Sequence, residues 1–135
     1  MAHIEKEKRI MLTTVGKSVI RGRLEAVTAV FGGNFYIVLS SDSTAINLSD
    51  TTLPGEQTSN GLQRQVVTFA HTTGQNTWTA TATFTFTGTS STPIYKVAIF
   101  DAATAGSLLV EYLASSPTVF SNAGDNAQWS ITISL

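Results

Sequence analysis

Between Thr77 and Thr87, threonine fills every odd position, and Trp78, Ala80, Ala82, Phe84 and Phe86 fill the even ones. A helix of 3.6 residues per turn would scatter those rings around its circumference. A strand turns successive side chains to opposite faces, so a period of two gathers rings and methyls on one side and hydroxyls on the other. Threonine is β-branched and stiff, which suits a pleated surface. The run therefore commits this stretch to a half-buried strand, and such a strand needs a second layer to cover its rings.

The remainder of the chain supplies that layer. Trp129, Ile131, Ile133 and Leu135 alternate with polar residues to the end. Phe35–Leu39 is wholly apolar and reads as a strand buried on both faces. Val66–Ala70, Ile94–Phe100 and Leu108–Leu113 are further strands, separated by turns at 71–76, 88–93 and 101–107 rich in small and polar residues. Residues 115–124 read as a crossover containing Val119 and Phe120, and 41–61 as a long polar loop of the kind that makes contacts. This spacing predicts an all-β fold, an antiparallel β-sandwich of Ig-like or jelly-roll-like type. The closing strand is expected to pair inside a sheet, because a free terminal strand frays. A chain of 135 residues, 42% hydrophobic, supports one such domain.

The start differs. Residues 1–12 read as a docking arm, charged first and ending in Ile10-Met11-Leu12. Thr13 or Thr14 can cap a helix over about 14–30, with Val19, Ile20, Leu24 and Val27 near helical spacing. Gly16 and Gly22 weaken that helix by about 1 kcal/mol each relative to alanine, and Gly32-Gly33 ends it. The domain thus covers 13–135, with one short helix at its head.

Charge is sparse at 13% of residues, and the net charge is −1. An average soluble domain has about 25%. The few bases cluster: Lys6, Lys8, Arg9, Lys17, Arg21 and Arg23 face only Glu5, Glu7 and Glu25 before residue 26. The alternation Glu5-Lys6-Glu7-Lys8 offsets base with acid, so the arm suits a protein surface better than nucleic acid. No apolar run approaches the roughly 20 residues that span a bilayer, and no secretory signal opens the chain.

Chemistry-bearing motifs are thin. There is no cysteine. His3 and His71 are the only histidines and share no metal-ligand spacing. Asp42 and Asp50 flank a loop too poor in acids for calcium. Glu111 with Asp101 or Asp125 could form the carboxylate pair of a glycosidase, but all three read as strand-end or turn charges. Neither a Gly-x-Ser-x-Gly elbow nor a phosphate loop is present. Trp78, Trp129, Phe84 and Phe86 could stack on sugars if exposed; their alternation marks them as core, and Tyr36, Tyr95 and Tyr112 likewise. The reading is a non-enzyme without cofactor or metal.

Four stretches resemble a family of small phage and prophage virion proteins. They are Thr13-Thr14-Val15-Gly16-Lys17, Leu62-Gln63-Arg64-Gln65-Val66, the central run Lys96-Val97-Ala98-Ile99-Phe100-Asp101-Ala102-Ala103-Thr104-Ala105-Gly106-Ser107-Leu108-Leu109, and the close Trp129-Ser130-Ile131-Thr132-Ile133. Ala98, Ala105 and Ser40-Ser41-Asp42 depart from that family, which favours glycine there. The resemblance implies a structural component of the virion, made in the bacterial cytoplasm. A capsid decoration, or cement, protein on the outer head shell fits best. It would be a homo-oligomer, most naturally a trimer, bound to the major capsid protein or neighbouring virion subunits, with no membrane and no direct nucleic-acid contact. A tail, baseplate or fibre-adaptor component and a carbohydrate-binding module are the alternatives. The expected contact residues are Ile4, Lys8, Arg9, Ile10, Met11 and Leu12 in the arm, Lys17 and Arg21 on the helix, and Asp50 and Leu53 in the loop.

Overall fold

The computed structural model describes residues 10–16, 34–72 and 74–134. Eight strands run β1 (Ile10–Leu12), β2 (Tyr36–Ser40), β3 (Gln65–Val66), β4 (Thr68–His71), β5 (Thr77–Thr85), β6 (Thr92–Phe100), β7 (Leu108–Phe120) and β8 (Asn126–Ser134). They form two antiparallel sheets, one ordered β1-β7-β6-β2-β3 and one ordered β4-β5-β8. The inner faces of both contribute to one apolar core, with Ile37, Leu39, Val97, Ile99, Val110 and Phe120 from the larger sheet against Ala80, Ala82, Phe84, Trp129 and Ile131 from the smaller. The fold is an all-β, sandwich-like arrangement, as the alternation predicts.

The period-two rule holds for four of the five rings and methyls of β5 and its extension. Ala80, Ala82, Phe84 and Phe86 are buried, while Trp78, at the outer end, is only half-buried and stacks on His71 of β4 with ring centroids 4.4 Å apart. Opposite β5, Ala127, Trp129, Ile131 and Ile133 of β8 repeat the pattern and are buried. The threonines look outward.

Three boundaries differ from the sequence reading. The stretch read as one strand from Val66 to Ala70 breaks at Val67, which is buried and donates its N–H to Phe35 O (2.9 Å) while the chain passes from one sheet to the other. Residues 115–120 are not a crossover. They extend β7, because Thr118, Val119 and Phe120 pair with Ile94, Pro93 and Thr92 of β6. Between that ladder and the Lys96–Leu113 pair, β7 carries extra residues opposite Tyr95. Pro117 falls in this bulge, where no ladder N–H is required. Finally β8 is paired with β5 alone among the described strands, so it is an edge and not an interior strand.

At the head of the chain, Ile10–Leu12 pairs with Val110–Tyr112 of β7, so the last residues of the expected arm belong to the sheet. Thr13 then turns the chain. Its N–H donates to Leu109 O (3.0 Å), its hydroxyl donates to Leu108 O and accepts the Gly16 N–H (2.8 Å). That last bond is the cap expected of Thr13. Residues 14–16 are helical; the remainder of the expected helix to residue 30 lies outside the described residues. Glycine at 16 has a steric reason, since a Cβ there would stand 2.1 Å from the Leu109 carbonyl oxygen.

Two stability changes follow. Phe84→Ala empties a core site edge-on to Trp129 and lowers unfolding stability by about 3–5 kcal/mol in urea titration; a loss under about 1 kcal/mol contradicts the inward face of β5. Gly16→Ala forces backbone against backbone and costs roughly 1–3 kcal/mol in the same assay, where on an open helix alanine would be a gain.

Candidate contact surface

The outer face of the larger sheet is not bare. Strand parity places Tyr36, Val38 and Ser40 of β2 with Lys96, Ala98 and Phe100 of β6 and Leu108 and Glu111 of β7. Val38, Ala98, Phe100 and Leu108 form a second apolar cluster, and the residue that closes it is Leu53, from the 41–61 loop. Leu53 was expected to meet a partner. It is buried, because it is the plug that seats the loop on its own sheet.

Polar bonds fix the loop around that plug. Its returning limb runs beside the end of β2: Gln57 N–H donates to Leu39 O (2.8 Å), Ser41 N–H to Gly55 O (3.1 Å), and the buried Ser40 hydroxyl to Pro54 O (2.5 Å). Asp50 closes a turn by accepting the Asn47 N–H (2.8 Å). Two cations then clamp the ends. Lys96, only 2% exposed, reaches Asp42 Oδ2 at 2.6 Å and Thr44 Oγ1 at 3.2 Å. Arg64 grips Glu56 through Nε (2.6 Å) and one terminal nitrogen (3.1 Å), while the other donates to Ala102 O (2.7 Å) and Ala105 O (2.8 Å). The guanidinium also lies 4.2 Å from the centroid of the Phe100 ring. One side chain thus ties the 41–61 loop to the β6–β7 turn. That turn is closed by Asp101, whose carboxylate accepts the Ser107 N–H (2.6 Å), and Gly106 takes φ +79° within it. Ala105 takes φ +52° beside it.

Glu111 is the unusual member. It is 1% exposed, in mid-strand, and neither carboxylate oxygen has a hydrogen-bond donor among the described residues. Burial pushes its pKa up to about 7. Lys96, 3.8 Å away, opposes that rise, and the nearby carboxylates of Asp50 and Asp42 add to it. A bond between Glu111 and Asp50 needs one proton shared between two acceptors, which is why their approach favours the neutral acid. Asp42 behaves oppositely: the hydrogen bond from Lys96, then that from Thr44, holds its carboxyl below the usual range.

The apex of the loop faces solvent. Leu48 is 51% exposed, and its carbonyl accepts the Thr14 N–H at 3.3 Å. Val15, 39% exposed, is the next residue after Thr14. The loop apex and the start of the helix thereby present two apolar side chains from one bonded junction.

Other expected sites fall apart in space or turn inward. Ile4, Lys8, Arg9, Lys17 and Arg21 lie outside the described residues. Ile10, Met11 and Leu12 are placed as strand β1. Asp50 is half-buried beside Glu111. Glu111 was read as a strand-end charge and is a buried mid-strand one. Asp101 and Asp125 close turns at opposite ends of β7, Asp125 through Ser121 and Asn122 N–H groups (2.7 and 2.9 Å), so no carboxylate pair forms with either. Among the described residues no group of three His, Asp or Glu side chains is arranged to hold a metal ion, and no helix is long and apolar enough to cross a membrane. Trp129 is 1% exposed in the core. Arg64, Glu56 and Lys96 were not singled out as site residues, and Glu111 was weighed only as one of a carboxylate pair. The signal for two of them was a lone charge inside an otherwise apolar strand.

No family model matches the chain, and no curated protein matches it.

Glu111 gives a test with a definite sign. Its carboxyl binds its proton more tightly folded than unfolded, so its contribution to stability is full below pH 4.5 and is lost as the pH rises to about 7. The loss is on the order of 3 kcal/mol. Glu111→Gln removes the titrating group and should flatten the stability–pH curve over that window, measured by denaturant melts at half-unit steps. An unchanged slope assigns the effect elsewhere.

Proposed function

We propose that this chain is a non-enzymatic structural protein of a bacteriophage particle, and within the particle a decoration, or cement, protein of the outer head shell. The observation that carries the reading is the 41–61 loop. A long polar loop usually loses entropy when it binds. Here the cost is met in the fold, by the Leu53 plug and the two cation clamps, and the loop holds Leu48 out beside Val15. A preordered apolar step on a mostly uncharged surface suits a contact repeated many times on a lattice, where weak sites add through multivalency. The resemblance of the 96–109 stretch to small virion proteins points the same way. The partner on this reading is the major capsid protein or a neighbouring virion subunit, and the protein works as a homo-oligomer.

Copy number separates this reading from a tail or baseplate role. Quantitative mass spectrometry of particles from the phage that encodes the chain should count copies in the hundreds; a dozen or fewer moves it to the tail. Leu48→Glu should weaken binding to particles stripped of the protein by tenfold or more, with an unchanged circular dichroism spectrum. Truncation of residues 1–9, which spares β1, should weaken binding as well. Full binding by both variants removes loop and arm from the contact.

A further inference from the structure

β8 is the one long edge among the described strands. β1 has three residues, β3 two and β4 four. Natural edges are usually blunted by lysine, proline, a bulge or brevity. β8 has none of these: it spans nine residues, Asn126–Ser134, with no proline, no ionisable side chain and an unbroken register against β5.

The hydrogen bonds at its start show which backbone groups are free. Phe86 N–H donates to Asp125 O (2.8 Å), and Phe86 O accepts the Gly124 N–H (2.7 Å). The even residues of β5 therefore aim their backbone at β8. By the alternation of an antiparallel ladder, Ala127, Trp129, Ile131 and Ile133 aim theirs back, and Asn126, Gln128, Ser130, Thr132 and Ser134 aim N–H and C=O away from the sheet. These groups have no partner among the described residues.

We propose that this edge pairs with β8 of a second copy, antiparallel across a two-fold axis at Ser130, to make one continuous six-stranded sheet. The sequence of the strand is complementary to itself in that register. Ser130 meets Ser130, Gln128 meets Thr132 and Asn126 meets Ser134, all neutral groups able to hydrogen-bond on the outer face. On the inner face Trp129 meets Ile131 and Ala127 meets Ile133, a ring against a β-branched chain and a small residue against a large one. At the axis Ser130 faces its own equivalent, so a charge there would repel its copy directly, and charges of one sign at neighbouring positions would crowd around the axis. The absence of charge from 126–134 removes that penalty, and the charge-free outer faces of β4 and β5 extend it across the joined sheet. The assembly is a pair, in contrast to the trimer that the resemblance implies. It does not rest on the virion reading.

Sedimentation velocity of the full chain over a hundredfold concentration range tests it. The wild type should form dimers. Ser130→Lys, on the outer face, sets two ammonium groups against each other at the axis and should raise the dimer dissociation constant tenfold or more. Thr132→Pro removes an edge donor that β5 does not use and should do the same. Amide exchange at Gln128, Ser130 and Thr132 should be slow in the concentrated wild type and fast in Ser130→Lys. The proposal is overturned by a wild type that stays monomeric throughout, by an oligomer of any size that both variants leave intact, or by fast exchange at those three amides in the concentrated wild type.

Discussion

The two sheets are held in register by a line of four rings. Phe84 meets Trp129 edge-on at 5.5 Å, Trp129 meets Phe120 at 6.0 Å, and Phe120 meets Phe86 at 5.6 Å. Three of the rings come from β5, its extension and β8; Phe120 comes from the other sheet. Such contacts add specific geometry to the area they bury. Because Phe120 is the last residue of β7, its place in the line fixes where that strand ends and where the chain must reverse. Asp125 makes the reversal, accepting two turn N–H groups with its carboxylate and the Phe86 N–H with its carbonyl. The register of β8 is then determined. A slip of one residue would carry Trp129 and Ile131 to the solvent face, which the core would not tolerate.

That line explains what was readable in advance. Alternation over 77–87 and 129–133 announced two half-buried strands, and the wholly apolar 35–39 announced a strand covered on both faces; Val38 and Ile37 do face separate clusters. Thr13 as a cap and Asp101 as a turn charge were legible because each acts on its near neighbours. Elements that depend on distant partners were not. The strand character of 115–120 comes from pairing with residues more than twenty positions earlier, and its Ser-Ser-Pro sequence argues locally for a turn. Trp78 obeys the alternation, but whether the core reaches the end of β5 is a property of the whole sandwich.

The 41–61 loop was visible as a loop and invisible as a built object. Its composition marks it polar, yet what orders it is a buried lysine, a half-buried arginine and one leucine. Taking Lys96 out of water is costly, and Asp42 offsets that cost only if it stays in place. Removing Asp42 would leave Lys96 a buried charge, so the pair acts as a condition on the loop position more than as a source of net stability. Glu111 sharpens the condition. An acceptor without a donor is tolerable when protonated and disfavoured when charged, which ties the packing of loop on sheet to the proton.

Charge is distributed unevenly as a result. Among the described residues every Asp, Glu, Lys and Arg belongs to the larger sheet, to the loops or to the turns. The strands of the smaller sheet carry none, and their outer face is a lattice of Thr, Ser, Asn and Gln, with Asn126 and Gln128 bonded across to Thr85 and Thr83. The two layers therefore offer different surfaces. One spends its charges internally to shape a loop whose apex leaves Leu48 exposed. The other keeps a flat, neutral strand edge whose free groups are backbone, and backbone complements any strand, above all an identical one. On the two proposals made above, the chain joins its own kind and sits on a foreign surface, and those contacts need separate faces, since a shared face would make one compete with the other. The segregation of charge to one layer meets that requirement within a single small core.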